Sequence, residues 1–341
     1  MNKVPKILLI YTGGTIGMVK DKQSGALYPW DFEVLQERLP ELQSLQCDLK
    51  IASLSPLKDS SDIGPSDWTK LALFLSDQYN HYDGFVVLHG SDTMSYTSSA
   101  MSFMLQRLSK PVIFTGSQLP IGDMRTDAKE NLITSIELAS LQEEGIPVIN
   151  EVAIYFEYKL YRANRTTKMN ADHFDAFWSP NYPILAEAGV RLQVFKDRLL
   201  PRSNFPFELF RTLDANVSIL KIYPGITTQH ILTFTKINNV KAIILETYGA
   251  GNVPSDPSFL GAIEKLIALG VIVINVTQCM GGEVTMGHYK SSNALLEMGV
   301  VSGKDMTTEA ALAKTMHLLP LFSEVSNFKK AFENNLSGEQ S

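Results

Sequence analysis

The chain has 341 residues, 45% hydrophobic and 19% charged, so it can bury a sizeable core without cross-links, and its length predicts about two domains. A formal net charge of −6, with no basic block, argues against a nucleic-acid binder, which must concentrate Lys and Arg to neutralise phosphate. Its 2 cysteines, Cys47 and Cys279, exclude a disulfide framework and a Cys-rich zinc site and fit a reducing compartment.

Ile7–Tyr11 is an apolar run too short for the hydrophobic region of a signal peptide, no small-residue cleavage site follows it, and it is read as the first strand. Nowhere does an apolar stretch approach the ~18–20 residues of a membrane span, so a cytoplasmic protein is expected. After the first strand comes Thr12-Gly13-Gly14-Thr15-Ile16-Gly17, then the polar stretch Met18–Pro29, which has no apolar periodicity and reads as a solvated loop or a lid. The apolar stretch IASLSPL ends at Lys58-Asp59-Ser60-Ser61-Asp62-Ile63. A helix is predicted over Trp68–Tyr79, a strand over Gly84–Leu88, a helix over Ser95–Leu108, a strand over Val112–Thr115, a helix over Ala128–Gln142 and a strand over Val152–Phe156. The irregular segment 195–214, with Pro201 and Pro206, reads as a linker. Beyond it the pattern resumes with strands Val217–Ile222, Ala242–Leu245 and Val271–Val276 and helices near Thr307–Leu319 and Glu324–Glu333.

Continuous apolar strands separated by helices signal a largely parallel sheet covered on both faces. The expected fold is therefore two-domain α/β. A larger N-terminal domain (1–194) has a parallel or mixed, flavodoxin-like sheet flanked by helices, and a smaller C-terminal α/β domain (215–341) follows the linker.

In open α/β sheets ligands bind beyond the carboxyl ends of the strands. There the sequence places TGGTIG, KDSSDI, HGSDTM (89–94), GSQLP (116–120) and a stretch from Glu157 to Asp172 that includes Arg162, Arg165 and Lys168. A hydroxyl is a weak nucleophile unless a base or positive field eases removal of its proton, and a Ser–Asp pair beside a lysine can move that proton. Backbone N–H groups in a Gly-rich turn can stabilise a developing oxyanion, and Gly14 and Gly90 are taken as substrate-binding positions. The mixture points to acyl transfer on a small polar substrate. Each residue also has a plain structural use: Thr12 and Thr15 as turn or cap residues, Ser91-Asp92 as a helix cap, His89 as a buried hydrogen-bonder and Lys168 as a solvated cation. Singly those uses are the better reading, but their coincidence on successive strand ends favours chemistry. A phosphate site fits less well, because TGGTIG matches neither glycine-rich nucleotide fingerprint and a loop follows it where a helix N-terminus is needed.

At these residues the chain resembles the bacterial-type L-asparaginases of the cytoplasmic type I group. TGGTIG and GFVVLHGSDTM are similar to the family's two signatures. DSSDI, PVIFTGSQLP with RTDAKEN, YRANRTTKMNADHFDAF, KIYPGI, YGAGNVP, TQCMGG and SGKDMTTEAALAK extend the likeness over nearly the whole chain. The resemblance implies hydrolysis of L-asparagine to L-aspartate and ammonia, with Thr15 as nucleophile and Thr12 shaping the turn. It implies Ser91, Asp92 and Lys168 as the proton-transfer group, Asp59, Ser60, Ser61 and Asp92 as holders of the substrate's α-ammonium and α-carboxylate, and Gly17–Pro29 as a mobile loop. Tyr28, or alternatively Tyr289, would activate the nucleophile, and Asn252 would approach a neighbouring subunit's site in a homodimer or homotetramer. No metal or organic cofactor is implied, and neither a membrane nor a nucleic acid is expected as partner.

Two departures from the family pattern bear on function. Ser91 stands where the signature usually has threonine, so the hydroxyl is kept and the rotamer-fixing methyl is lost. Glu246 stands where some relatives carry an arginine for allosteric asparagine, and its carboxylate would repel such an effector. Three other functions remain to be weighed. An ammonia-supplying amidotransferase subunit is disfavoured because the chain begins at the asparaginase-like strand. A racemase needs two facing thiols, and Cys47 and Cys279 do not follow the relevant loops. A non-enzymatic amino-acid sensor on the same scaffold is the third.

Overall fold

The computed structural model describes residues 4–20, 27–29, 39–236, 239–287 and 290–341. It divides into two units, Met1–Arg211 and Thr212–Ser341.

In the first unit, β1 (Lys6–Tyr11) is buried at every position after Lys6. It lies between the edge strand β2 (Asp48–Ser53) and β3 (Gly84–Leu88), parallel to both. The sheet continues in parallel through β4 (Val112–Thr115) to β5 (Val152–Phe156). β3, β4 and β5 are buried throughout, as strands covered on both faces must be. The chain then reverses at Glu157 and Tyr158, whose φ angles of 46° and 66° match the left-handed pair of a tight hairpin turn. The antiparallel strands β6 (Lys159–Arg162), β7 (Ala186–Ala188) and β8 (Leu192–Val194) complete a mixed eight-stranded sheet, in the order β8-β7-β6-β5-β4-β3-β1-β2.

Among the described residues, three helices link the parallel strands. α1 (Pro65–Gln78) begins at a proline, whose fixed φ and missing N–H suit a first helical position. α2 (Met94–Met104) is buried at every residue except Tyr96. It stops short of the expected Leu108, because Leu105–Gln106 turn into a short strand against Glu208–Leu209. α3 (Ala128–Ser140) lays Leu132, Ile136 and Leu138 on Ile7, Leu9, Val86, Ile113 and Ala153 of the sheet. Each such side chain contributes roughly 1.5–3 kcal/mol by leaving water.

Two expectations of irregular chain need correction. Met18–Lys20 and Leu27–Pro29 pair as an antiparallel ladder, with Tyr28 opposite Val19, so the ends of the Met18–Pro29 stretch are strand. The stretch 195–214 holds a 3-10 turn at Lys196–Arg198 and the strand Glu208–Leu209.

The second unit is a four-stranded parallel sheet in the order β9 (Val217–Lys221), β10 (Ala242–Thr247), β11 (Ile272–Thr277) and β12 (Val301–Ser302). Its helices are α4 (Thr228–Thr233), α5 (Pro257–Ala268), α6 (Lys290–Glu297), α7 (Thr308–Leu318) and α8 (Val325–Glu333). Alternation along β10 feeds two cores. Ile243 and Leu245 pack with Phe259, Ile263 and Leu266 of α5, while Ala242 and Ile244 pack with Ala310, Leu318, Phe328 and Phe332 of α7 and α8. The chain end is fastened beneath α7, where fully buried Lys314 pairs with fully buried Glu339 and donates to the Phe332 and Asn334 carbonyls.

Candidate active site

The glycine motif after β1 is shaped by close packing of backbone on backbone. Thr12 ties the ends of β1 and β3 together, since its N–H (3.1 Å) and Oγ1 (2.9 Å) both donate to the Leu88 carbonyl. Gly13 has φ +124°, and a Cβ there would sit 1.9 Å from the Lys58 carbonyl oxygen. Gly14 has φ +88°, and its Cβ would sit 2.4 Å from the Gly90 nitrogen. Only glycine fits either position, and through them the first loop seats on the loops after β2 and β3. Gly14→Ala should therefore push the two signature loops apart. Turnover at this site is expected to fall roughly 10²-fold, the scale of an ~1 Å misplacement, in a variant that still unfolds cooperatively in a thermal melt.

Thr15 follows as the first residue of a 3-10 turn, Thr15–Gly17. It is half-buried, whereas Ile16 and Gly17 are buried. From there the chain enters the strand Met18–Lys20, so the helix N-terminus that a phosphate site would need does not follow the glycines.

The loop after β2 joins this arrangement through the Lys58 N–H, which donates to the Thr12 carbonyl at 3.1 Å. The Lys58 ammonium binds both Asp67 oxygens at 2.8 Å and is thereby turned to structure. Asp59 caps the turn Ser60–Asp62, its Oδ1 accepting from the N–H and the hydroxyl of Ser61 at 2.9 Å each. Ser60 is buried, and its carbonyl accepts the Thr93 hydroxyl at 2.6 Å. Asp59 and Ser61 are exposed on the same short turn.

After β3, His89 is 1% exposed, with Nδ1 2.7 Å from the Gly90 carbonyl. Burial pushes its pKa down to about 4, so the ring is neutral at pH 7 and structural, as its strand-end position suggested. Ser91 and Asp92 lie in a 3-10 turn, Ser91–Thr93, leading into α2. Their side chains do not serve as caps. The Lys168 ammonium donates to Ser91 Oγ at 2.8 Å and to Asp92 Oδ1 at 2.6 Å. The Lys168 side chain is 16% exposed and that of Asp92 66%, so the lysine is the buried member of the pair and the carboxylate the exposed one.

Lys168 reaches this point from a small hairpin in which Thr167–Lys168 pair with Phe177–Trp178. The two arginines nearest in sequence serve elsewhere. Arg162 is level with Ala153 near the start of β5 and binds buried Glu151 at 2.7 Å. Arg165 is 2% exposed and donates to the Asn181 carbonyl.

A residue that sequence reasoning did not nominate completes the cluster. Gln118, in the loop after β4, accepts the Ser91 hydroxyl on Oε1 at 3.2 Å. Its Nε2 donates at 3.0 Å to both the Ala171 and His173 carbonyls, at the tip of the Lys168 hairpin. The backbone N–H groups of Gln118 and Leu119 bind the Asp127 carboxylate, whose pKa burial raises against the lowering effect of these bonds. Its place in a strand-end loop was the available signal, but an amide suggests no chemistry by itself.

The structure thus brings Gly14, Gly90, Asp59, Ser60, Ser61, Ser91, Asp92 and Lys168 onto interlocked loops at one end of the sheet, with Thr15 following Gly14. Side chains of Tyr28 and Tyr289 lie outside the described residues. Asn252 belongs to the second unit, in a turn closed by the Tyr248–Asn252 bridge, with its Oδ1 buried. Glu246, also there, accepts the Thr308 hydroxyl at 2.7 Å. Among the described residues no three His, Cys, Asp or Glu side chains gather as a metal site requires, and no helix is long and apolar enough to cross a membrane.

Residues 6–200 match the family model "Asparaginase, N-terminal", and residues 216–332 match "Glutaminase/Asparaginase C-terminal domain". The chain is 42% identical over 334 residues to L-asparaginase 1 of Escherichia coli (strain K12), covering 98% of this chain and 97% of that protein. The crystal structure of L-asparaginase I from Vibrio cholerae O1 biovar eltor matches with a TM-score of 0.89 at 39% identity, covering 99% of each chain. The thermostable L-asparaginase from Thermococcus kodakarensis matches with a TM-score of 0.86 at 32% identity, over 98% of this chain and 99% of that one.

Proposed function

The chain belongs to the asparaginase family, and from that membership we propose that it hydrolyses the side-chain amide of L-asparagine to L-aspartate and ammonia. The observation that carries the proposal is the Lys168 ammonium bound to both Ser91 and Asp92 on a loop that abuts the glycine turn before Thr15.

In this reading Thr15 Oγ attacks the amide carbon, and its proton is relayed to the departing nitrogen. The Gly14 and Gly90 N–H groups stabilise the oxyanion, and the nitrogen leaves as ammonia after gaining a proton. Water then attacks the Thr15 ester, releasing aspartate and restoring the hydroxyl. Ser91 and Lys168 relay protons, and Asp92 holds the lysine in place while facing the substrate's ammonium. Asp59, Ser60 and Ser61 hold the α-amino and α-carboxylate groups. Tyr28 in the hairpin, or Tyr289, assists the removal of the Thr15 proton, and the Gly17–Pro29 segment closes over bound substrate. The nucleophile and relay assignments rest on the family resemblance together with the placement of Thr15, Ser91 and Lys168, and the lid and tyrosine assignments on the resemblance alone.

The irregular, proline-bearing composition of 195–214 supports a linker between a 1–194 catalytic domain and a 215–341 C-terminal domain, and the resemblance supports a cytoplasmic homodimer or homotetramer with Asn252 near a neighbouring site. The test is ammonia release by the purified chain from asparagine and from glutamine over a concentration series, without ATP or a partner protein. Turnover of asparagine supports the reading; binding without ammonia release would make the chain a sensor, and ammonia release only with a tRNA-dependent partner would make it an amidotransferase subunit.

A further inference from the structure

Ser91 is held in a closed ring of hydrogen bonds. Lys168 Nζ donates to Ser91 Oγ at 2.8 Å, and Ser91 Oγ donates to Gln118 Oε1 at 3.2 Å. Gln118 Nε2 donates to the Ala171 and His173 carbonyls at 3.0 Å. Those carbonyls sit on the hairpin that carries Lys168, where the Met169 N–H donates to the Ala176 carbonyl at 2.8 Å. Asn170 Oδ1 stiffens the hairpin tip by accepting from the Asp172 N–H at 3.0 Å and the His173 N–H at 3.1 Å.

The chemistry of the groups fixes the direction of every bond in the ring. An ammonium only donates, and a carbonyl only accepts. Nε2 must therefore face Ala171 and His173, since a flipped amide would set its oxygen against two carbonyl oxygens. Oε1 is then left for Ser91. Ser91 has one proton, which goes to Gln118, so its lone pairs must face Lys168. Asp127 anchors the other end of the strut through the Gln118 N–H at 3.0 Å.

We infer that Gln118 is a positioning residue for the amidohydrolase reaction, holding the Ser91 hydroxyl in the one rotamer and polarity that meets Lys168. The inference rests on the asparaginase reading above. A serine side chain has three staggered wells and no β-branch to choose among them. Nothing in the side chain itself therefore selects the rotamer, and the Gln118 hydrogen bond supplies the restriction. A residue that only held the fold would change stability, whereas one acting through Ser91 must be energetically coupled to it.

The experiment measures kcat and KM for asparagine in the parent, Gln118→Met, Ser91→Thr and the double variant, with thermal unfolding of each. Gln118→Met should lower kcat roughly 10- to 100-fold, the scale of a misplaced catalytic group, and change KM by less than about threefold. The effect of Ser91→Thr on kcat should be at least about fivefold more favourable in the Gln118→Met background than in the parent, because the added methyl restores the lost restriction. If Gln118→Met does not fold, Gln118→Glu takes its place with the same coupling expected, since its carboxylate faces the two carbonyls and opens the ring. A parent that turns over asparagine while the Gln118 variant stays within about twofold of it, or equal Ser91→Thr effects in both backgrounds, overturns the inference alone. A parent that releases no ammonia overturns the asparaginase reading and the inference with it.

Discussion

Thr15→Ala should yield a folded protein that releases ammonia from asparagine roughly 10⁴- to 10⁶-fold more slowly, the range seen when a covalent nucleophile is removed. Folding should survive, because the fastening of this loop lies just before Thr15. Thr12 binds the Leu88 carbonyl, and Gly13 and Gly14 seat against Lys58 and Gly90. Thr15 is half-buried at the start of its turn, and trimming its hydroxyl and methyl should cost about 1 kcal/mol or less. The variant's loss should appear in kcat, since the proposed ammonium and carboxylate holders, Asp59, Ser60, Ser61 and Asp92, are untouched. Ammonia release and thermal unfolding on the same preparation check both halves. Near-parental turnover in a well-folded variant would remove Thr15 from the nucleophile role and leave attack by an activated water as the chemistry to examine.

The parallel strands were the most legible part of the fold. Gly84–Leu88, Val112–Thr115 and Val152–Phe156 begin and end where the near-continuous apolar runs do, because burial on both faces strongly favours apolar side chains. The edge strand Asp48–Ser53 has no fully buried residue and so lacks that signature. Lys159–Arg162 owes its strand conformation to pairing with β5 after a turn, a tertiary fact absent from its composition. The same holds for Leu105–Gln106, which leave the helix to meet Glu208–Leu209 about a hundred residues away. Pro257–Ala268 lies outside the predicted elements although its start is legible, with Asp256 as cap and Pro257 in the first turn.

In the site, hydroxyl- and carboxylate-bearing loops could be placed because parallel strands deliver their carboxyl ends to one edge. The cations could not be sorted in the same way. Arg162, Arg165 and Lys168 stand within seven residues of one another, and only the pairing of Arg162 with Glu151 and the burial of Arg165 separate structural arginines from the lysine that meets Ser91. Gln118 is the clearest case of a role invisible in sequence. Its importance lies in which two loops it joins, not in what it is.

Lys168→Met is expected to lower kcat roughly 10²- to 10⁴-fold, the usual contribution of general acid–base catalysis, while raising KM by less than about fivefold. Methionine keeps most of the length and apolar stem and removes the ammonium, leaving Ser91 Oγ without the donor 2.8 Å away. No large stability loss should accompany the change. Asp92, the other partner, has a side chain 66% exposed, so losing the lysine leaves a carboxylate that water can solvate rather than an unpaired buried charge. The split between the two constants decides the role. A cation that only attracted substrate carboxylate would act equally on ground and transition states and would appear in KM. One that moves the proton released by Thr15 or required by the departing nitrogen acts only as the transition state forms, and its loss appears in kcat. An effect confined to KM would therefore reassign Lys168 to substrate binding and leave the proton relay to Ser91 and the assisting tyrosine.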